Sequence, residues 1–470
     1  MLLENIEINN VEIHGKGVAR HNGKVVFVEN ALPGEVVDAQ VFQKKKGVLF
    51  ARTTAVHKSS ESRQTPFCNH YGTCGGCTWQ NATYEKQLAF KRQFVEDAFR
   101  RIGKLDVAEI PQVLGCTTET HYRNKLEFTF SNKRWLTEKP HPAPLLKERE
   151  SEQHSFPENP GLGFHKPGLF DKVVDIEKCW LQREPSDKIK NTLREFALKE
   201  YIPFFDLRKQ EGVLRNLIIR TSSLGETLVI VCFFKNEFVE PVLDFLKTTF
   251  PEITSLHYVI NTKQNDSIFD QKVICFNGQE FIKEKLGNLY FHIGPKSFFQ
   301  VNVPQAERLF NKAVEFAELK GNETVYDLYC GIGSISLYLA KHCRKVIGVE
   351  QLNEAVEDAK ENAALNNITN CAFFAGDVID ILNNTLVNTH GKPEVIFIDP
   401  PRAGIHPKLV QTLLEIEPKK IVYVSCNPVT QARDLALLAE KYAIKNVQPV
   451  DMFPQTYHIE NVVGLKLKIN

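Results

Sequence analysis

Residues 324–337 read Thr-Val-Tyr-Asp-Leu-Tyr-Cys-Gly-Ile-Gly-Ser-Ile-Ser-Leu, and this stretch decides the fold. An apolar segment is followed by a glycine-rich turn and then by small and apolar residues that can open a helix. Because glycine lacks a Cβ, such a turn lets the backbone approach a ligand closely. The stretch therefore predicts a β-strand, a ligand-binding turn and a helix in direct succession.

The sequence on either side of this stretch continues the same alternation. Apolar strand candidates are separated by helical stretches, and apolar residues recur at helical spacing between Leu352 and Ala363. This alternation is typical of an α/β fold with a parallel sheet, in which ligands bind at the carboxyl ends of the strands. The strand candidates are 324–328, 345–349, 372–374, 395–398 and 421–424.

Acidic residues stand at the ends of the first three strand candidates. They are Asp327, Glu350 and Asp377. A dinucleotide-binding turn would carry a third glycine where Ser336 stands, which argues against NAD. A carboxylate ahead of the glycines suits the cationic end of S-adenosylmethionine (SAM), and one after the second strand lies where ribose hydroxyls bind. The pattern predicts a SAM-dependent transferase.

The fourth and fifth strand candidates lead into reactive residues. Asp399 opens the sequence Asp-Pro-Pro-Arg, and Cys426 leaves an apolar strand for a polar turn, where a thiolate would be a soft nucleophile. Most methyl acceptors carry a lone pair, but carbon 5 of a pyrimidine becomes nucleophilic only after a thiolate has added to carbon 6. A base must then remove the C5 proton, which predicts a carboxylate or a histidine near Cys426 in space. The stretch 451–460 offers Glu460, whose apolar neighbours would raise its pKa.

Three further cysteines lie close together near the N-terminal end of the chain. Cys68, Cys74 and Cys77 have the spacing C-x5-C-x2-C. Thiolates in such a loop can hold one metal centre, but a four-coordinate site needs another ligand. Cys179 is the first choice for this ligand and Cys116 is the second. Spacing alone leaves iron–sulfur and zinc both open.

Residues 1–60 contain short strand candidates separated by turns rich in glycine. Such spacing is typical of a small antiparallel barrel. Residues 44–46, Lys-Lys-Lys, would lie on one of its hairpin loops, and a second basic stretch, 121–125, begins a later strand. Taken alone, a run of three lysines is more typical of a solvated turn than of a binding site, whereas 121–125 are either an RNA contact or a strand start with solvated ends.

The composition limits the possible function classes. The chain has 470 residues, 43% of them hydrophobic and 24% charged, with a net charge of +1. This balance is typical of a globular protein, and any affinity for nucleic acid must come from local patches. No apolar run approaches the ~20 residues that span a bilayer, and no signal peptide is recognisable, which predicts a cytoplasmic protein. Its eleven cysteines therefore favour metal-binding or catalytic roles over disulfides.

We expect three domains. Residues 1–60 form the barrel, 61–290 form a central α+β domain with the clustered cysteines, and 291–470 form the SAM-binding α/β domain. Within the central domain, 137–160 are rich in Pro, Glu, Lys and Ser, which predicts a mobile surface insertion.

Two stretches together resemble the RNA uridine-C5 methyltransferase family. The first runs from Asp399 through Ser-Cys-Asn at 425–427 to Thr430, and the second is 451–460, which contains Phe-Pro-Gln and ends on Glu460. The resemblance implies that Cys426 is the nucleophile and that Glu460 takes the C5 proton. It also implies a set of cofactor contacts, namely Gln300, Tyr329, Ser334, Glu350, Asp377 and Asp399.

The resemblance extends to the rest of the chain. Ribosomal-RNA members of the family carry a [4Fe-4S] cluster with this cysteine spacing, which implies Cys68, Cys74, Cys77 and Cys179 as its ligands. The N-terminal barrel resembles a TRAM domain, an oligonucleotide-binding-like module, which implies phosphate contacts from 44–46. Residues 121–125, outside the barrel, are a second candidate contact with RNA. Methylation of a specific uridine in 23S ribosomal RNA follows, with transfer RNA as the alternative. No membrane and no obligate protein partner is indicated.

Two other functions compete with this interpretation. An adenine- or guanine-amino methyltransferase would carry an aromatic residue after Asp-Pro-Pro and needs no thiol, so Arg402 and Cys426 argue against it. A non-catalytic RNA-binding or ribosome-assembly factor would need neither Cys426 nor Glu460.

Overall fold

The computed structural model describes residues 1–107, 109–136 and 159–468. Their strands form one six-stranded sheet, two seven-stranded sheets and a hairpin, in that order along the chain except that the hairpin precedes the last sheet. The predicted insertion falls almost entirely in 137–158, which lies outside the described residues. Within the described ranges, no helix is both long and apolar enough to cross a membrane.

The N-terminal sheet is made of β1 (Leu2–Glu7), β2 (Asn10–Val11), β3 (Gly17–His21), β4 (Lys24–Glu29), β5 (Val36–Lys45) and β6 (Val48–Lys58). Their order is β1-β5-β6-β4-β3-β2, and neighbours are antiparallel except for β4 and β6. Alternate residues such as Val26, Val37 and Ala51 point into one apolar core. Strand β1 also lies against β3, so the sheet curls back on itself, as a small barrel requires.

Helix α1 connects this sheet with the C-terminal part of the molecule. It spans Tyr84–Asp97 and continues as a π-helical turn over Ala98–Gly103. Phe90 packs against Trp79 beside the N-terminal sheet, whereas Phe99 packs among residues of the C-terminal sheet. The helix lies in the stretch predicted for the central domain, yet its apolar contacts join the two outer domains.

The central sheet is made of β7 (Lys125–Ser131), β8 (Gly161–His165), β9 (Val173–Asp175), β10 (Leu214–Thr221), β11 (Thr227–Phe233), β12 (Ser255–Ile260) and β13 (Ile274–Gly278), accompanied by α2 (Ser186–Lys199) and α3 (Val239–Thr249). The strand order is β13-β12-β11-β10-β7-β8-β9. The middle strands β10 and β11 are buried along their whole length, as expected of a sheet covered on both faces. This mixed sheet with its two helices is an α+β arrangement.

The hairpin β14 (Ile282–Leu286) and β15 (Leu289–Ile293) leads into the C-terminal domain. This domain contains β16 (Thr324–Leu328), β17 (Lys345–Glu350), β18 (Cys371–Ala375), β19 (Val395–Ile398), β20 (Lys420–Ser425), β21 (Tyr442–Val450) and β22 (Glu460–Leu467), together with α4 (Val303–Ala317), α5 (Ser334–Ala340), α6 (Asn353–Leu365), α7 (Val378–Ile381), α8 (Asn384–His390), α9 (Pro407–Ile416) and α10 (Pro428–Leu438).

The C-terminal sheet has the order β18-β17-β16-β19-β20-β22-β21. Its first five strands are parallel and correspond to the five strand candidates, so the predicted α/β fold is confirmed. The last two strands were not predicted, because no helix separates them and the strand–helix alternation stops there. Strand β22 inserts antiparallel between β20 and β21, which decides the geometry of the site.

Candidate active site

The carboxyl ends of β16 to β20 meet at one border of the C-terminal sheet, which we call the active-site edge. The parallel register aligns Leu328 with both Val349 and Ile398, and Glu350 with Ala375. Side chains that follow these strand ends are therefore neighbours in space, although they are far apart in the sequence.

The turn after β16 is held in a conformation that exposes its backbone. The amides of Tyr329 and Cys330 both donate to the carbonyl oxygen of Val349, at 2.9 and 3.1 Å. Tyr329 has φ 67° and Gly331 has φ 55°, so both lie in the left-handed region. A Cβ added to Gly331 would meet no heavy atom within 4 Å. The turn thus borders open space, where a ligand can lie against the main chain.

Glu350 ties the turn to the next strand end. Its carboxylate accepts hydrogen bonds from the amide of Gly331 at 3.1 Å and from the amide of Leu352 at 3.0 Å. Asp377, after β18, accepts from the amide of Ile379 at 2.8 Å and so caps α7. Both carboxylates are fixed by backbone donors, which orients them at the edge.

The buried Asp327 and the half-buried Asp399 are further carboxylates at this edge. Asp327 accepts a hydrogen bond from the Ser336 hydroxyl at 2.5 Å, while its Oδ1 has no partner among the described residues. Burial raises the pKa of Asp327 to about 7, and Asp399 and Glu350 add to this effect. Burial likewise raises the pKa of Asp399 to about 7. A cation at this edge would offset the charge, so the residues present fit a sulfonium cofactor such as SAM.

The other two predicted cofactor residues flank this edge. Ser334 is the first residue of α5, directly after the glycine turn, and its side chain is half-buried. Gln300 lies in the loop between β15 and α4, also half-buried, and its carbonyl oxygen accepts from the side-chain amide of Asn124 at 3.1 Å. Only the resemblance, and no local pattern, pointed to Gln300.

Strand β22 brings Glu460 to Cys426. Ser425, the last residue of β20, pairs with Asn461, so Cys426 and Glu460 are adjacent across the two strands. Cys426 is half-buried and Glu460 is 7% exposed. Burial raises the pKa of Cys426 to about 11, with Glu460 adding and Arg402 opposing. Burial also raises the pKa of Glu460 well above its usual value, with Asp399 adding and Arg402 opposing.

Arg402 and His458 complete this group. The Arg402 guanidinium donates to Nδ1 of His458 at 3.3 Å, and the Arg402 carbonyl oxygen accepts from the side chains of Asn427 and Thr430. Burial and the nearby cations, Arg402 foremost, lower the pKa of His458 to about 4. The neutral ring can therefore accept this bond. In the sequence, Arg402 only argued against an aromatic base-stacking residue, and its place as the cation beside the thiol was missed.

The four cysteines singled out as metal ligands share one place. Cys68, Cys74, Cys77 and Cys179 all line a cavity of about 460 Å³, which we call the cysteine cavity. Cys116 does not belong to it, since its thiol donates to the carbonyl oxygen of Asp451 at 3.0 Å. The geometry thus separates the first choice of fourth ligand from the second.

The cysteine cavity is shaped by loops. Gly75 has φ 75°, and a Cβ there would clash with Pro167, so this position requires glycine. The amide of Gly76 donates to Cys74 Sγ at 3.3 Å, and the amide of Cys179 donates to the Asp187 carboxylate. Across the described ranges, no three or more His, Cys, Asp or Glu side chains are arranged so that they could hold a metal ion. The thiols share a cavity without converging on one point.

The two basic stretches have different surroundings. Residues 44–46 end β5 and turn into β6 with their side chains exposed, close to the exposed ring of Phe42, over which Arg52 lies at 5.8 Å. In 121–125, the hydroxyl of buried Tyr122 donates to the carbonyl oxygen of Pro454 at 3.1 Å. Arg123 and Lys125 line the cysteine cavity. The second stretch thus joins domains as well as presenting charge.

A parallel sheet with a glycine turn and acidic strand ends defines the class as a SAM-dependent methyltransferase. The family profile tRNA (Uracil-5-)-methyltransferase matches residues 268–468, and the TRAM domain profile matches residues 4–54. An uncharacterized RNA methyltransferase of Bacteroides thetaiotaomicron is 50% identical over 459 residues, which cover 97% of this chain and 99% of that protein. Another, from Porphyromonas gingivalis, is 48% identical over 98% of this chain and 99% of its own length.

A solved structure agrees over the whole chain. The Pyrococcus abyssi tRNA (uracil-54, C5)-methyltransferase in complex with S-adenosyl-L-homocysteine is 28% identical, with a TM-score of 0.75 over 98% of this chain and 99% of that one. The chain belongs to the TRAM-containing RNA uracil-C5 methyltransferase family. It methylates uracil C5 in RNA with SAM as methyl donor, and it binds RNA through its TRAM and methyltransferase domains.

Proposed function

We propose that the protein methylates a specific uridine of 23S ribosomal RNA, with Cys426 as the nucleophile and Glu460 as the base. The observation that carries the catalytic assignment is the β20–β22 pairing, which sets the thiol and the carboxylate side by side at the active-site edge. A thiol, a buried carboxylate and the Arg402 cation are the groups that addition to a uracil ring and removal of its C5 proton require.

The proposed reaction consists of addition to C6, methylation of C5, removal of the C5 proton and elimination of the cysteine. Cys426 reacts as the thiolate, after its proton has passed to solvent: the sulfur electron pair forms the bond to C6, the C5=C6 electron pair moves to C5, and C5 takes up a methyl group. SAM supplies that methyl group when bound. The Glu460 carboxylate then removes the C5 proton, and the C–H electron pair restores C5=C6. The C6–S bond breaks, and its electron pair returns to the Cys426 sulfur.

The environment of the two groups suits these roles. Arg402 opposes the rise in pKa of both, so it favours the thiolate and the carboxylate over their protonated forms. A carboxylate whose pKa is raised by burial is a stronger base once it is ionised. The target base must leave its stack to reach Cys426, which costs least in an unpaired loop.

SAM is held by the remaining residues of the edge. Glu350, Asp377 and Asp399 supply the acidic strand ends, and Tyr329 and Ser334 flank the glycine turn. The open space beside Gly331 supports a ligand at this place, as does the concentration of carboxylates. Gln300 contributes from the loop before α4.

Cys68, Cys74, Cys77 and Cys179 would hold a [4Fe-4S] cluster that orders the central domain. The shared cavity supports this proposal, as does the Gly76 amide that donates to Cys74 Sγ, because such donors stabilise thiolate ligands. The role is structural, since the methylation moves no electrons. The cysteine spacing alone also suits zinc, but the ligands of a single Zn²⁺ must converge on one point, and the thiols of the cysteine cavity do not.

The choice of ribosomal RNA rests on the combination of the TRAM domain with the four-cysteine set, which resembles the ribosomal-RNA members of the family. The second candidate is transfer RNA, because the Pyrococcus abyssi structure is named as an enzyme of tRNA uracil 54. In either case, exposed Lys44, Lys45 and Lys46 beside Phe42 are the proposed contacts with unpaired RNA.

The covalent step is tested with RNA that contains 5-fluorouridine. Fluorine at C5 cannot leave as a proton does, so the methylated adduct should remain bound to the protein when SAM is present. We expect a SAM-dependent protein–RNA band with the native chain and none with Cys426→Ser. Equal bands with and without Cys426 would overturn the nucleophile assignment, and no band at all would favour a non-catalytic RNA-binding factor.

The substrate is tested in cells that lack the gene. 5-Methyluridine is mapped by mass spectrometry in 23S ribosomal RNA and in transfer RNA separately, with the deleted gene restored as a control. Loss at one 23S position supports the proposal. Loss in transfer RNA alone overturns the choice of substrate while leaving the chemistry intact.

A further inference from the structure

Residues 451–459 form a loop that joins β21 to β22 and ends at Glu460, and this loop is held by a distant helix. Val450 and Glu460 pair across the hairpin and close the loop at its base. Within the loop, Asp451, Phe453 and Gln455 are bonded to α1, whose Lys91 is 360 positions earlier in the chain than Asp451. The sheet alone therefore does not fix the loop.

The main contact is an ion pair that is fully shielded from solvent. Lys91 Nζ lies 2.6 Å from Asp451 Oδ1, and both side chains are 0% exposed. Lys91 also donates to the carbonyl oxygen of Phe453 at 3.0 Å. Asp451 in turn accepts from the Tyr84 hydroxyl at 2.8 Å and from the amide of Phe453 at 2.9 Å. Every side-chain hydrogen bond of this pair joins α1 to the start of the loop or holds the loop start itself.

The middle of the loop is held by a residue of α1 that lies one helical turn before Lys91. Gln87 lies four residues before Lys91 and so on the same face of α1. Its side-chain amide donates to Gln455 Oε1 at 3.0 Å, and the amide of Gln455 donates back to Gln87 Oε1 at 2.9 Å. The carbonyl oxygen of Gln455 also accepts from the amides of Thr78 and Trp79. These hydrogen bonds thus hold the first half of the loop in one position against α1.

The second half of the loop reaches the reacting groups. His458 accepts from Arg402, the cation that acts on both Cys426 and Glu460. Glu460 follows two residues later and is buried. The contacts of α1 are therefore connected to Glu460 through fewer than ten loop residues. The structure describes all of these residues, and the loop is anchored at both of its ends.

A buried ion pair is not needed for packing. Two apolar side chains of the same volume usually stabilise a protein as well or better, because the charges lose their hydration. What the pair supplies is direction, since its hydrogen bonds fix the start of the loop relative to α1. We propose that Lys91 is a positioning residue for the reaction: through Asp451 it holds the 451–459 loop so that the Glu460 carboxylate faces the C5 proton.

This inference rests on the proposed roles of Cys426 and Glu460, and it predicts which step fails. Cys426 follows β20, whose pairing with β19 and β22 does not involve Lys91, so we expect addition to C6 and methylation to proceed. Removal of the C5 proton needs the base in position, so the methylated adduct persists. A purely structural role of Lys91 would lower the amount of folded protein without favouring one step.

The experiment compares Lys91→Met, Asp451→Asn and the double variant under single turnover with SAM and unmodified uridine RNA. Covalent protein–RNA complex is followed on denaturing gels. We expect formation within about threefold of the native rate and resolution slowed by about tenfold or more, with the KM for RNA within about twofold. The double variant has no unpaired charge, so it should regain thermal stability but not the resolution rate. Recovery of both by the double variant would overturn the proposal.

Two further variants keep the result interpretable. Arg215→Met removes another buried cation, which pairs with Asp266 in the central sheet, and should lower stability without accumulation of adduct. Tyr84→Phe removes a single hydrogen bond to Asp451, so it should fold even where the charge variants do not, and should slow resolution by about threefold. Resolution at the native rate by Tyr84→Phe, where no charge variant folds, would also overturn the proposal.

Glu460→Gln, run in parallel, separates this inference from the proposed function. Adduct that persists in Glu460→Gln but not in Lys91→Met leaves the base assignment standing and removes the positioning role. Adduct that persists in neither variant refutes the base assignment itself.

Discussion

The active-site edge and the cysteine cavity both gather a cysteine-based site from distant segments, but they are built differently. At the edge, Cys426 and the carboxylates follow parallel strands, and the register of the sheet sets their separation. In the cavity, Cys68, Cys74 and Cys77 lie on one loop and Cys179 on another. The edge is thus fixed by backbone pairing, whereas the cavity depends on loops and on what binds there.

The difference predicts whether a substitution at each site lowers activity or stability first. A side chain at the edge can be exchanged while the strands beneath it stay paired, so activity should be lost without loss of fold. A cysteine of the cavity that ligates a cluster contributes binding free energy to folding, so its loss should lower stability first. Each of the following measurements tests this contrast.

The largest effect is expected from Glu460→Gln at the edge. Without the base, product formation should fall by about 100- to 10,000-fold, measured as 5-methyluridine formed per minute. The stability of Glu460→Gln, in contrast to its activity, should exceed that of the native chain at neutral pH. Because the pKa of Glu460 is raised on folding, the native protein loses stability as pH rises from the unfolded value of 4.5 toward the raised value, and the variant lacks this loss.

Thermal melts across this pH range check the second half of that prediction. The melting temperature of Glu460→Gln, relative to the native chain, should increase from pH 5 to pH 8. A variant that is less stable than the native chain at pH 8 would mean that the edge depends on this side chain for its fold. The expected difference between the active-site edge and the cysteine cavity would then be wrong.

The next effect concerns the cavity. Cys179→Ser should lose bound iron and lower the melting temperature by about 5 °C or more, as expected when a structural metal site is broken. Iron and sulfide content, the visible absorption of the cluster and thermal melts are measured on anaerobically purified protein. Cys116→Ser is the matched control, because Cys116 bonds to Asp451 outside the cavity and should leave iron content unchanged.

Other outcomes would sharpen the assignment. Stoichiometric zinc without iron would keep the ligand set and replace the cluster. Full iron content in Cys179→Ser but not in Cys116→Ser would reverse the choice of fourth ligand. Cys179→Ser protein that melts like the native chain would show that the cavity contributes as little to folding as a side chain of the edge.

A smaller effect is expected in the reactivity of Cys426. Its pKa is raised to about 11 by burial, so in the free protein its alkylation by iodoacetamide should rise about tenfold for each pH unit between 7 and 10. Arg402→Gln removes the cation that opposes this rise and should slow alkylation at pH 8 several-fold. Mass spectrometry of the peptide that contains Cys426 separates this thiol from the other ten. A profile with a midpoint below pH 8 would contradict the expected environment.

The smallest effect is expected on the N-terminal sheet, away from both sites. Replacement of Lys44, Lys45 and Lys46 by alanine should weaken RNA binding and reduce the slope of log affinity against log salt by about 2, as loss of three contacts to single-stranded RNA requires. The turnover rate with saturating RNA should not change. An unchanged salt slope would mean that these lysines are an ordinary solvated turn.

Most of the edge could be predicted from sequence, because strand ends are visible in a one-dimensional pattern. The apolar runs before Glu350, Asp399 and Cys426 located these residues at one border, and the parallel sheet confirmed it. The partner of Cys426 could not be placed in the same way. Glu460 reaches it through an antiparallel strand that the alternation did not predict; the chemistry called only for a carboxylate or a histidine near the thiol, and the resemblance implied Glu460.

Contacts between domains were out of reach of local patterns. Lys91 reads as one basic residue of an amphipathic helix, and Tyr122 as part of a basic stretch. Both are buried against the 451–459 loop or its neighbours, because three domains close on them in the folded chain. A basic stretch or a basic residue of a helix predicts exposure. These two positions are exceptions that only tertiary packing explains.

The insertion of β22 between β20 and β21 also sets an order of events during synthesis. Cys426 and β21 leave the ribosome before Glu460 does, and β21 cannot take its final place until β22 has entered the gap beside β20. A growing chain therefore has Cys426, the proposed nucleophile, before it has Glu460, the proposed base, and its sheet still lacks the strand between β20 and β21. Under the proposed roles, the strand that is made last completes both the fold and the reacting pair, so the thiol has no base beside it until the sheet is complete.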